Sequence, residues 1–71
     1  MGINDVVWKP QCGVNVAELG GCRAVAYPGH KCWEWKVRRV SSGVSLASGR
    51  GPTRDDALGS AAIALVGFAT G

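Results

Sequence analysis

Between Cys32 and Val40 the side chains alternate, with Trp33, Trp35 and Val37 on one parity and Glu34, Lys36 and Arg38 on the other. Successive side chains of an extended strand point to opposite faces, so this run predicts a strand with one apolar and one charged face. Such a strand needs hydrogen-bonded neighbours and a layer to cover its indoles. The flanking residues supply the neighbours. Ser41-Ser42-Gly43 is a turn signal, and Val44-Ser45-Leu46-Ala47-Ser48-Gly49 alternates again, which together predict a hairpin. Cys22-Arg23-Ala24-Val25-Ala26-Tyr27 reads as the preceding strand, ended by Pro28-Gly29-His30. Residues 22–49 are therefore expected to form a three-stranded antiparallel sheet.

Arg50-Gly51-Pro52 breaks this sheet, and Thr53-Arg54-Asp55-Asp56 opens a helix expected over residues 53–69. Thr53 can accept hydrogen bonds from the free N–H groups of the first turn, and the two aspartates place negative charge at the positive end of the helix dipole. Leu58, Ala61, Ala62, Leu65, Phe68 and Ala69 recur at helical spacing and form the stripe expected to lie on the tryptophan face. Past Asp56 no residue is charged, and Gly59, Ser60, Ile63 and Gly67 make a small, weakly apolar back face. A solvated helix face normally carries Lys or Glu, so this one implies a neighbour: the N-terminal segment, a second copy in a homodimer, or another protein.

Seventy-one residues provide for one domain and one core, which excludes a two-domain enzyme. Residues 1–21 are expected to be an irregular or short-helical N-terminal extension. Within it Val14-Asn15-Val16-Ala17-Glu18-Leu19 reads as one or two helical turns closed by Gly20-Gly21, or equally as a strand. Its start, Met1-Gly2-Ile3-Asn4-Asp5, lacks the basic and hydrophobic regions of an export signal, and no run of 18 apolar residues is present; a cytoplasmic protein is expected, with no membrane partner.

Three cysteines, Cys12, Cys22 and Cys32, are an odd number without an export signal, which favours free thiols over a disulfide framework. With His30 they would make a Cys₃His zinc set, but no Cys-x-x-Cys knuckle is present and the spacing of ten is foreign to compact zinc sites, so no metal and no cofactor are expected. One histidine without a Ser/His/Asp or Cys/His/Asn set predicts a protein that is not an enzyme. Gly49-Arg50-Gly51 lacks the spacing and the Lys-Ser/Thr of a phosphate-binding loop.

What remains is a binding surface. Eight Lys+Arg against five Asp+Glu leave a net charge of +3. The outward hairpin face carries Lys36 and Arg38 with Glu34, Arg23 and Tyr27 are placed to join it, and Arg39 adds charge near its end. Trp8, without an assigned partner in the sequence, reads as an exposed anchor. Trp8, Tyr27, Lys36, Arg38 and Arg39 are the expected partner contacts, the aromatics as anchors and the cations for acidic groups.

Two resemblances bear on what is bound. Tyr27 to Phe68 is similar to the C-terminal two thirds of a double-stranded RNA-binding domain: Pro28-Gly29-His30 resembles its first hairpin loop, Trp33-Glu34-Trp35-Lys36-Val37 its second strand, and Gly49-Arg50-Gly51 with Ala57 and Ala61-Ala62 its approach to the last helix. The resemblance implies nucleic-acid contacts through His30, Lys31, Arg50 and Arg54. In size, β-β-β-α architecture and alanine-rich helix the chain also resembles several phage-encoded anti-CRISPR proteins. That likeness implies inhibition of a larger protein or ribonucleoprotein, such as a bacterial CRISPR-Cas complex, by occupation of its surface.

Overall fold

The computed structural model of the chain describes residues 5–70. Residues 1–4, on which much of the reading of the N-terminus as lacking an export signal rests, lie outside the described residues. The fold is α+β, an antiparallel sheet with one C-terminal helix, but the sheet has five strands rather than three: β1 Lys9–Gln11, β2 Val14–Leu19, β3 Cys22–Pro28, β4 Trp33–Arg39 and β5 Ser45–Gly51, followed by α1 Arg54–Thr70. Strand order follows chain order, β1-β2-β3-β4-β5, and every pairing is antiparallel.

Two-residue turns build the additional strands. Cys12 and Gly13 have φ of 52° and 84°, and Gly20 and Gly21 have φ of 55° and 79°. Positive φ at both central residues is the requirement of a type I′ turn, whose twist matches that of the flanking strands. Gly20-Gly21 thus joins Leu19 to Cys22 in a hairpin instead of closing a helix. The sheet also extends further than expected at its other edge, because Gly49, Arg50 and Gly51 pair with Trp35, Glu34 and Trp33 before Pro52 ends the strand.

Thr53 caps the start of the helix. The Asp56 N–H donates to Thr53 Oγ1 at 3.2 Å, and Thr53 Oγ1 donates back to the Asp56 carboxylate at 3.0 Å. Both helix ends rest on glycines of the sheet. A Cβ on Gly51 would stand 2.9 Å from the Asp56 Cβ, and one on Gly20 would stand 2.7 Å from the Ala69 Cβ. The helix therefore runs from the end of β5 to the β2–β3 turn at a separation that only hydrogen atoms permit.

The core follows from that closeness. Its buried residues are Ala17, Cys22, Ala24, Ala26 and Val37 from the sheet and Ala57, Ala61, Ala62 and Leu65 from the helix. Register confirms that Trp33, Trp35 and Val37 share the helix side, since they pair with Pro28, Ala26 and Ala24. Only Val37 is buried beneath the helix, however; both indoles are half-buried. The helix stripe is likewise shifted. Ala57 joins it, while Phe68 is 37% exposed and Ile63, on the back face, 67%. Val6 and Trp8 pack against the core, and on the back face Ser60 and Ile63 are exposed among the described residues.

Candidate binding face

Among the described residues, the sheet's second face carries no helix. β2, β3, β4 and β5 all contact α1 on one side, and strand alternation sends the intervening residues to the other. Cross-strand register groups these outward residues in three rows. The first contains Glu18, Arg23, Arg38 and Ser45; the second Lys9, Val16, Val25, Lys36 and Ser48; the third Tyr27, Glu34 and Arg50. Val16, Val25, Tyr27 and Glu34 are half-buried, whereas Lys9, Arg23, Lys36, Arg38 and Arg50 are exposed. The face thus has an apolar middle ringed by cations.

Its charge is concentrated. These strand positions hold five of the eight cations and two of the five carboxylates, an excess of three, which equals the net charge of the whole chain. Elsewhere Lys31, Arg39 and Arg54 balance Asp5, Asp55 and Asp56.

Two arginines stand directly opposite each other in the first row, Arg23 on β3 and Arg38 on β4. Like charges so placed oppose sheet formation. Arg23 Nη2 is held by Glu18 Oε2 at 3.1 Å, both side chains about half exposed, so this pair adds little stability of its own. It leaves the Arg38 guanidinium as the cation that faces solvent from the row. Two hollows mark the face. One, of about 410 Å³, lies where the segment before β1 splays from β2, with Asp5, Val7, Lys9, Val16, Glu18 and Arg23 around it. The smaller, about 130 Å³, is bounded by Tyr27, Glu34, Lys36, Ser48 and Arg50.

Of the expected contacts, Tyr27, Lys36 and Arg38 share this face. Arg39 does not, because it pairs with buried Cys22 and so belongs to the helix side, at its rim. Trp8 corrects the expectation of an exposed anchor: it is half-buried against the core cluster, where burying an indole is worth more than displaying one. Among the residues expected to touch nucleic acid, Arg50 is on the outward face. His30 and Lys31 lie in the β3–β4 turn, where Lys31 has φ of 61°, and Arg54 lies at the helix start, 3.8 Å from Asp55. The Trp33–Gly51 pairing puts that turn and the helix start at one end of the sheet.

Lys9 and Val16 were not foreseen as part of the face. Their signal was the pair of two-residue glycine turns, Cys12-Gly13 and Gly20-Gly21, flanking a six-residue segment that opens with the alternating Val14-Asn15-Val16. Of the cysteines, Cys12 is exposed, Cys32 half-buried and Cys22 buried, all as free thiols. No described helix is long and apolar enough to cross a membrane. Comparison of the chain with protein-family models, with curated proteins and with solved structures finds no match to any of them.

Proposed function

We propose that this protein is a small, non-enzymatic binding protein that inhibits a larger protein or ribonucleoprotein by occupying its surface, with a phage-encoded inhibitor of a bacterial defence complex as the concrete form. One observation carries the reading: the entire net charge sits on an uncovered sheet face with half-buried Val16, Val25 and Tyr27 at its centre. An apolar centre with a charged margin is the anatomy of a protein–protein docking surface, and the cations select an acidic counterpart and speed its approach. Tyr27 is the aromatic anchor, and Lys36, Arg38 and Arg50 meet carboxylates or phosphates on the target.

The test is capture of the target from a bacterial lysate, with Lys36→Glu/Arg38→Glu as the paired control. The wild type should retain a specific partner and inhibit it, and the charge-reversed variant should lose both while melting at the same temperature. Capture at full strength by the variant defeats the reading.

Nucleic-acid binding is the second reading, favoured by the convergence of His30, Lys31 and Arg54 at one end of the sheet. Against it, the helix start that would hold phosphates carries Asp55 and Asp56, and residues 9–19 form strands where the double-stranded RNA-binding domain has a helix. That reading requires duplex RNA or DNA to shift in a gel at low salt and to be released as salt rises. Absence of a shift at low salt eliminates it.

A further inference from the structure

The two edges of the sheet are unlike. β1 has three residues, and its central Pro10 has no N–H to offer. Short length and proline are the usual means by which an edge strand is made unable to pair. β5 has seven residues, Ser45 to Gly51, with no proline and one charge, Arg50; its one irregularity, the bulge opposite Val37 and Arg38, lies at its Ser45 to Ala47 end and leaves Ser48 to Gly51 in regular register.

The hydrogen bonds identify which groups of β5 are free. The Val40 N–H donates to the Gly21 carbonyl at 3.0 Å, on the β3 side, and the Arg39 N–H donates to the Val44 carbonyl at 2.9 Å, on the β5 side. Backbone direction alternates along an antiparallel strand, so Val37, Trp35 and Trp33 turn their groups toward β5. Their partners Ala47, Gly49 and Gly51 are thereby bonded to β4, and Ser48 and Arg50 aim N–H and C=O at the open edge.

We infer that this edge pairs with β5 of a second copy, in antiparallel fashion about a two-fold axis near Ser48 and Gly49. Sterics favour it, because Ser45, Ala47, Ser48, Gly49 and Gly51 are all small. Charge favours it too. Centred on Gly49, the pairing sets Arg50 opposite Ser48 of the copy, and centred on Ser48 it sets Arg50 opposite Leu46, so the strand's single cation never meets itself. The Trp35 indole gives an apolar reason. Its Cζ2, Cε2 and Nε1 lie 2.7 to 2.9 Å from where a Gly49 Cβ would be, so the half-buried ring reaches from β4 over the edge strand. Two-fold pairing brings two such rings toward each other over a glycine floor. With the β1 edge blunted, each chain has one open edge, so association closes at a dimer with a continuous ten-stranded sheet instead of growing into a fibre.

Sedimentation equilibrium from about 10 µM to about 1 mM tests this, since weaker association leaves the chain effectively monomeric. The wild type should show twice the chain mass, with tryptophan emission shifting to the blue as dimer forms. Ser48→Pro removes a donor aimed at the edge and none aimed at β4, so it should weaken the dimer by at least about tenfold while retaining the monomer's circular dichroism. Should Ser48→Pro fail to fold, Ser48→Lys makes the same test by setting a like charge across the axis, against its own copy or against Arg50 of the copy; because Lys36 also faces it within the chain, its circular dichroism is measured beside the wild type's. Ile63→Lys, on the exposed back of α1, should leave the dimer intact. A monomer throughout the range overturns the proposal, as does a dimer that survives the Ser48 variants and is lost in Ile63→Lys.

Discussion

The indole of Trp35 lies across Gly49: its Cζ2, Cε2 and Nε1 stand 2.7, 2.8 and 2.9 Å from the position a Cβ would take on the neighbouring strand. Tighter contacts than real Cβ atoms tolerate mean that the ring occupies the space a side chain at residue 49 would need. The strand's glycine is there for the tryptophan, and the tryptophan covers the core from beside the helix, as its packing against the cluster of Ala17, Ala24, Val37 and Leu65 shows.

Gly49→Ala should therefore destabilise the fold by about 1 to 3 kcal/mol, the usual cost of overfilling a packed site. In a Trp35→Leu background the same change should cost much less. Urea melts of the two singles and the double measure this coupling, and simple additivity would mean that the ring moves aside freely.

Gly20 and Gly21 separate backbone conformation from space. Both have positive φ, but a Cβ on Gly21 meets nothing within 4 Å, whereas one on Gly20 meets the Ala69 Cβ at 2.7 Å and its carbonyl oxygen at 3.0 Å. Each alanine variant loses about 1 kcal/mol or more to left-handed strain. Gly20→Ala should lose about a further 1 to 3 kcal/mol from the displaced helix end, seen as a lower urea midpoint than that of Gly21→Ala.

Thr53→Ala removes the acceptor for the Asp56 N–H and the donor to its carboxylate. The loss should be about 1 kcal/mol in thermal or urea unfolding, and Thr53→Ser should recover most of it.

Lys36→Glu/Arg38→Glu should leave stability unchanged or slightly raised, because Glu at position 38 faces Arg23 and replaces a like-charged pair with an attractive one, worth about 0.2 to 1 kcal/mol. Target binding should fall in the same protein. Loss of binding accompanied by unfolding would show the cations to be structural.

Leu65→Ala should cost about 2 to 5 kcal/mol, since Leu65 is the largest fully buried side chain, and in a domain of this size that approaches the whole stability. Far-UV circular dichroism at 25 °C should show substantial unfolding, where Ile63→Ala, on the exposed back face, should show none.

The two faces of β4 could be read directly, because alternation is a property of consecutive residues and Trp33 to Arg38 carry it in their chemistry. The Thr53 to Asp56 helix start was equally local, four residues whose hydrogen bonds close on one another. Both depend on neighbours in the chain. Part of the candidate face was legible for the same reason, in Glu34, Lys36 and Arg38 of β4 and in Arg23 and Tyr27 of β3.

The remainder depended on what lies across the sheet. Val14 to Leu19 suits a helical turn or a strand, and pairing with β3 decided for the strand by satisfying its backbone groups. Trp33 and Trp35, with the largest apolar side chains of the sheet, were expected beneath the helix, but glycines under both helix ends draw it too close for indoles, so alanines fill the interface and both indoles are left half-buried. Sequence by itself determined the strand and helix types from Cys22 onward and their polar faces, because those follow from residue order. The number of strands, the identity of the core and the gathering of all net charge on one open face were settled by packing distance and cross-strand register, which no single segment contains.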